Sequence, residues 1–87
     1  MVNLLYVFRK LMSKESGNIQ YASNLFKFVI VDKNTNKIQH IVIADDDELE
    51  ARNSIKGQYP NYIVYGCICS VSNKDEYFKG QIIKITG

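Results

Sequence analysis

Two apolar runs set close together constrain this chain more than any other feature: "NLFKFVIVD" at 24–32 and "KIQHIVIA" at 37–44. Both are rich in β-branched and aromatic residues and are bounded by polar turn formers, which is the signature of paired strands. A hairpin follows. Its loop, Asp32 to Lys37, predicts a type I turn closed by a residue in the left-handed region, with Asn36 in the place usually given to glycine.

The other segments are read against that hairpin. Over residues 3–15, Leu4, Leu5, Val7, Phe8, Leu11 and Met12 share one arc of a helical wheel, while Asn3, Arg9, Lys10, Ser13 and Lys14 fill the other. A strand would split Arg9 and Lys10 between two faces, so the periodicity predicts a helix, closed by Gly17-Asn18. "ELEARNSIKGQYP" predicts a second, short helix over about 46–57, with Leu49, Ile55 and Tyr59 inward and Gly57 and Pro60 as stop signals. "NYIVYGCICSV" at 61–71 is apolar on both alternating sets, as a central strand covered on both faces would be. "YFKGQIIKIT" at 77–86 reads as a last strand, with Gly80 marking a bulge.

The expected fold class is therefore α+β, in the order α-β-β-α-β-β: one four-stranded, mostly antiparallel sheet with two helices. If the strands at 37–44 and 61–71 were neighbours, the helix between them would make a right-handed crossover and that pair would be parallel. At 87 residues, 46% hydrophobic and 23% charged, residues 1–87 suit a single domain with a packed core. The N-terminal apolar run stops at Arg9-Lys10, short of a signal-peptide core, and nothing approaches a membrane span of about 20 apolar residues. Two cysteines are too few for a secreted disulfide scaffold, so the expectation is a cytoplasmic protein with no membrane partner.

Net charge is +2 and the pI is near 8.5, too weak for bulk attraction to nucleic acid. Charge is nonetheless segregated, because five of the nine acidic residues lie in "ADDDELE" at 44–50. As a calcium loop starting at Asp45, that run would set Glu50 where glycine is required and Lys56 where a bidentate glutamate is required, so the pattern fails. Asp45 and Glu48 have the spacing of a helix capping box, and Asp46 and Asp47 would occupy the first turn, where the helix dipole favours anions. Glu48 and Arg52 stand at i, i+4 in the favourable order for an ion pair. A cap needs only one or two acids. Asp46, Asp47 and Glu50 are left as a surplus facing solvent, and they form the first candidate patch for a partner.

Cys67 and Cys69, placed at i, i+2 on one strand face, supply two ligands where tetrahedral zinc needs four. With His40 across a neighbouring strand, either thiol would make a nucleophile pair, but cysteines in an apolar strand are usually inert packing groups. The glycines stand apart, and no phosphate loop, nucleophile elbow or paired-histidine motif occurs. No catalytic residue, metal or cofactor is expected.

Two binding classes remain. Six Tyr and four Phe beside Lys27, Lys79 and Lys84 would suit a sheet that stacks nucleic-acid bases, although the glycine-aromatic pattern of RNA-binding sheets is missing. The favoured expectation is a non-catalytic protein-interaction module. Its resources are the acidic patch of Asp46, Asp47 and Glu50, an edge strand open to β-augmentation, and exposed Tyr21, Tyr59 or Tyr62. Residue usage rich in Ile, Lys, Asn and Tyr and lacking Trp fits an AT-rich genome, which suggests a phage or accessory inhibitor of a host protein.

Overall fold

The computed structural model describes residues 20–87. It shows an α+β domain of four strands and one helix: β1 (Asn24–Asp32), β2 (Ile38–Asp45), α1 (Glu48–Gln58), β3 (Tyr62–Ser72) and β4 (Gln81–Thr86). The expected order with two helices is not borne out, since one helix is found among the described residues. The expected helix at 3–15 lies outside them.

The hairpin forms as the sequence predicts. β1 and β2 pair antiparallel from Asn24 opposite Asp45 to Val31 opposite Ile38. At the loop, the Asp32 N–H donates to the Lys37 carbonyl at 3.0 Å and the Asn36 N–H to the Asp32 carbonyl at 2.7 Å. Asn36 takes φ 57°, the left-handed conformation that its side chain tolerates better than most.

The sheet order is β3-β1-β2-β4, and every neighbouring pair is antiparallel. β2 and β3, joined by α1, run the same way but are not neighbours, because β1 lies between them. The segment expected to be a central strand is an edge strand. A doubly apolar strand need not be central: among the described residues α1 packs on one face of the sheet, and β3 stands at its edge. Gly80 (φ 81°) sits in the turn before β4, and the irregularity in that strand falls further on, where Val42 pairs with Lys84 but Ile43 pairs with Ile82.

α1 starts later than expected. β2 continues through Asp45, whose buried carboxylate accepts the Asp46 N–H at 2.9 Å and the Ser54 hydroxyl at 3.2 Å. The N-cap is therefore Asp47, in extended backbone, and its carboxylate accepts the Glu50 N–H at 2.8 Å. The capping pair is Asp47 with Glu50, two residues after the expected Asp45 with Glu48. That shift rotates the inward face onto Ala51 and Ile55, both fully buried, and leaves Leu49 67% exposed. Gly57 lies inside the last turn; the helix closes when the Tyr59 N–H donates to the Ile55 carbonyl, and Pro60 follows. Arg52 does not reach back to Glu48. Its guanidinium lies 5.7 Å from the centre of the Phe28 ring and donates to the Val64 carbonyl at 3.0 Å, fastening the helix to β3.

The core is a single layer between α1 and the sheet. Phe26, Phe28 and Ile30 of β1, Ile41 and Ile43 of β2, and Val64 of β3 meet Ala51 and Ile55, with Tyr59, Tyr62, Cys67, Ile82 and Ile85 packed around them.

Candidate interaction surface

Strand alternation sends every second residue to the face opposite α1. On β1 these are Leu25, Lys27, Val29 and Val31; on β2, Ile38, His40 and Val42. On β3 they are Ile63, Cys69 and Val71, set opposite Val31, Lys27 and Leu25 in turn, with Tyr65 following Val64 at the irregularity between Phe28 and Ile30. Among the described residues no element packs over this face. Its centre is aliphatic, and its β3 side is open to solvent, with Tyr65 56% and Val71 54% exposed.

Two irregularities in the β1–β3 register shape that side. Phe28 pairs with Cys67 while Lys27 pairs with Cys69, and Ile30 pairs with Val64, so β3 carries extra residues against β1. Ile68 is one of them, and it projects 55% exposed. The same bulge separates the two thiols. Cys67 joins the core side and donates to the Cys69 carbonyl at 3.2 Å, while Cys69 lies on the opposite face, contrary to the expectation that they share one. His40 is on the face of Cys69, but β1 intervenes, which puts two strand spacings, about 10 Å, between their strands. The geometry does not assemble a thiol–imidazole pair.

The residues expected to bind nucleic acid divide. Lys27 and Lys84 fall in one row across the open face, Cys69–Lys27–Val42–Lys84. Lys79 is elsewhere, in the β3–β4 connection, ion-paired with Asp46. Of the aromatics, Phe26 and Phe28 are core, Tyr59 and Tyr62 pack together at 5.5 Å beside it, and Tyr21 stacks on Phe78 at 5.3 Å. Among the aromatics within the strands, Tyr65 alone stands on the helix-free sheet face. Strand parity predicted its facing, but a sequence reading that covered both faces of β3 hid its exposure.

The acidic run is largely engaged by the fold. Asp45 is buried beneath α1 and Asp47 caps it. Asp46 accepts the Ser23 N–H at 3.0 Å and hydroxyl at 3.2 Å as well as Lys79, binding the start of β1 to the β3–β4 connection. The Lys79 ammonium and the Ser23 amide hold the Asp46 carboxyl below its ordinary range, and Asp46 in turn raises Lys79. Glu50 is pushed the other way, chiefly by the charge on Asp47 and then by Asp45. Of the expected patch, Glu50 has no such tie, and exposed Glu48 stands beside it. Among the described residues no three acidic, Cys or His side chains converge as metal ligands would.

Surface depressions are shallow. One lies between Asp32, Asn34 and residues 58–62, another beside Lys33, Lys56 and Ile63. Among the described residues no helix is long and apolar enough to cross a membrane. Compared with protein-family models, with curated proteins and with solved structures, the chain shows no match.

Proposed function

We propose that this domain is a small non-catalytic protein-interaction module, acting by occlusion through the helix-free face of its sheet and the adjoining β3 side. The observation that carries this reading is the composition of that face. Leu25, Val29, Val31, Val42, Ile63 and Val71 offer aliphatic surface, which partners bury readily, while Lys27 and Lys84 add two cations in line across it. The fitting partner presents an apolar helix or strand with carboxylates placed to meet those lysines.

The same composition argues against a nucleic-acid platform. Base stacking needs aromatic rings, and the face offers Tyr65 among aliphatic side chains that cannot substitute for them. An acidic contact patch is a weaker second reading, supported by the exposed carboxylates of Glu48 and Glu50; Asp46 and Asp47 have structural duties.

The test is capture from a lysate of the cells that make the protein, after nuclease treatment, with wild-type chain and with Ile63→Glu/Tyr65→Glu. Both positions are already exposed, so the fold tolerates the change. A protein retained by wild type and lost by the double variant is expected. Equal retention by both would remove the face from the reading, and loss of all binding on nuclease treatment would favour nucleic acid.

A further inference from the structure

We infer that the outer edge of β3 is a self-association surface: two copies of this chain pair antiparallel along Ile68–Ser72 about a twofold axis at Ser70, joining two four-stranded sheets into one. The inference does not rest on the proposed function, because it uses the edge of the sheet and leaves the helix-free face open.

Hydrogen bonding at the strand ends shows which backbone groups this edge presents. The Asn73 N–H donates to the Ser23 carbonyl at 2.9 Å, and from there Ser72 lies opposite Asn24, Val71 opposite Leu25, Ser70 opposite Phe26 and Cys69 opposite Lys27. Hydrogen-bonded and non-hydrogen-bonded pairs alternate along an antiparallel ladder. Val71 and Cys69 therefore turn their N–H and C=O groups toward β1, and Ser70 and Ser72 turn theirs outward. The other end of the strand obeys the same rule. The Lys33 N–H donates to the Asn61 carbonyl at 2.9 Å, which sets the outward groups at Tyr62 and Val64, and the outward Val64 carbonyl is already taken by the Arg52 guanidinium at 3.0 Å. At the Ser72 end the edge is open. Residues 68–72 are all exposed, and among the described residues no hydrogen bond reaches the outward groups of Ser70 and Ser72.

Sheet edges are ordinarily blunted by charge, by proline or by brevity. The other edge, β4, has six residues and carries Lys84 in mid-strand. β3 has eleven residues, YIVYGCICSVS, with no charge and no proline. Its register shifts fall before Cys69, so Cys69–Ser72 run regularly against Asn24–Lys27. Charge also selects the occupant. An uncharged strand meets its own copy with no like charges directly opposite, a condition that a strand bearing lysine fails. With the axis at Ser70, that residue exchanges both N–H···O bonds with Ser70 of the second copy, and Ser72 lies opposite the second copy's Ile68. Exposed Ile68 and Val71 flank the axis and lose water-accessible area to the other chain. Such a pairing closes on itself, whereas β3 against β4 of a further copy would extend without end, and Lys84 opposes that. A twofold axis through paired strands stands perpendicular to the sheet. Both α1 helices then lie on one side, and the two helix-free faces form a single surface on the other.

The experiment uses the full chain. Sedimentation equilibrium should show monomer and dimer in exchange, and the Ser70 and Ser72 amides should exchange with solvent at least about tenfold more slowly at about 1 mM chain than at about 10 μM. Ser70→Pro removes an outward donor that takes no part in the β1 ladder, and should give a monomer that still unfolds cooperatively in urea. Ser70→Lys and Ser70→Asp each set like charges directly opposite across the axis. Either variant alone should be monomeric, and an equimolar mixture of the two should associate again. A monomer at every concentration, amide exchange that ignores concentration, or a dimer that survives Ser70→Pro would each overturn the inference. A mixture of the two charge variants that stays monomeric would refute the axis at Ser70. A dimer that Val42→Glu abolishes and Ser70→Lys leaves intact would join two sheet faces instead of two edges, and would overturn it as well.

Discussion

Replacing the acidic residues one at a time separates their structural duties from any role in binding. Asp47 satisfies the Glu50 N–H at the start of α1, a bond that alanine cannot make and asparagine can. Asp47→Ala should therefore cost about 1 kcal/mol, and Asp47→Asn close to nothing, because the lost dipole interaction is offset by relief of the charge that raises Glu50. Asp45 is a different case. It is 3% exposed and accepts from both the Asp46 N–H and the Ser54 hydroxyl, so alanine there strands two donors beneath the helix. We expect a loss of about 2 to 4 kcal/mol from two charge-assisted hydrogen bonds.

For a domain of this size, each kcal/mol lowers Tm by roughly 4 to 8 °C. Thermal and urea unfolding followed by circular dichroism should thus rank Asp45→Ala well below Asp47→Ala, with Asp47→Asn beside wild type. An Asp47→Ala variant as stable as wild type would refute the cap assignment. If it also failed to bind a captured partner, the acidic run would be a contact patch after all.

Three further outcomes follow from the same geometry. Ile55→Ala opens a cavity where α1 meets Phe28 and Ile41, and should cost about 2 to 5 kcal/mol in urea unfolding, enough to threaten a domain of this size. Asp46 has a lowered pKa in the folded state, so its stabilisation is fully present above its ordinary value of 3.8 and is lost as pH falls through the lower folded value; the stability gap between wild type and Asp46→Asn should be widest near pH 7 and close below that window. Alkylation followed by peptide mass spectrometry should modify exposed Cys69 faster than half-buried Cys67, and equal rates would contradict the bulge that separates them.

Local chemistry made much of the sheet legible in the sequence. Asn36 could be assigned to a left-handed position because the loop length demanded one, and the alternation in 24–32 identified Phe26, Phe28 and Ile30 as one face. The helix cap was placed two residues early for an equally local reason: Asp45, Asp46 and Asp47 are chemically interchangeable caps, and what selects Asp47 is the length of β2, a pairing property. Lys79 illustrates the same limit, since its partner Asp46 is remote in sequence and is brought near by the β3–β4 connection. The edge position of β3 was illegible for a further reason. Strand order depends on which connection crosses which neighbour, and an apolar residue on an edge strand looks like one on a central strand.

A strand apolar on both sides would suit two covering layers, yet the described residues supply one, α1, and β3 stands at the margin of the sheet. Val29, Val31 and Val42 on the central strands, and Ile63, Tyr65 and Val71 beside them, have the chemistry of a surface to be covered, at about 25 cal/mol for each Å² removed from water. Lys27 and Lys84 in one row keep that surface from being uniformly apolar, and under the proposed function they favour a partner carrying carboxylates. The acidic run, a candidate partner patch from its sequence, has its oxygens mostly committed to Ser23, Ser54, Lys79 and the start of α1. The proposed contact surface therefore lies on the other side of the sheet, where aliphatic side chains rather than committed carboxylates face outward.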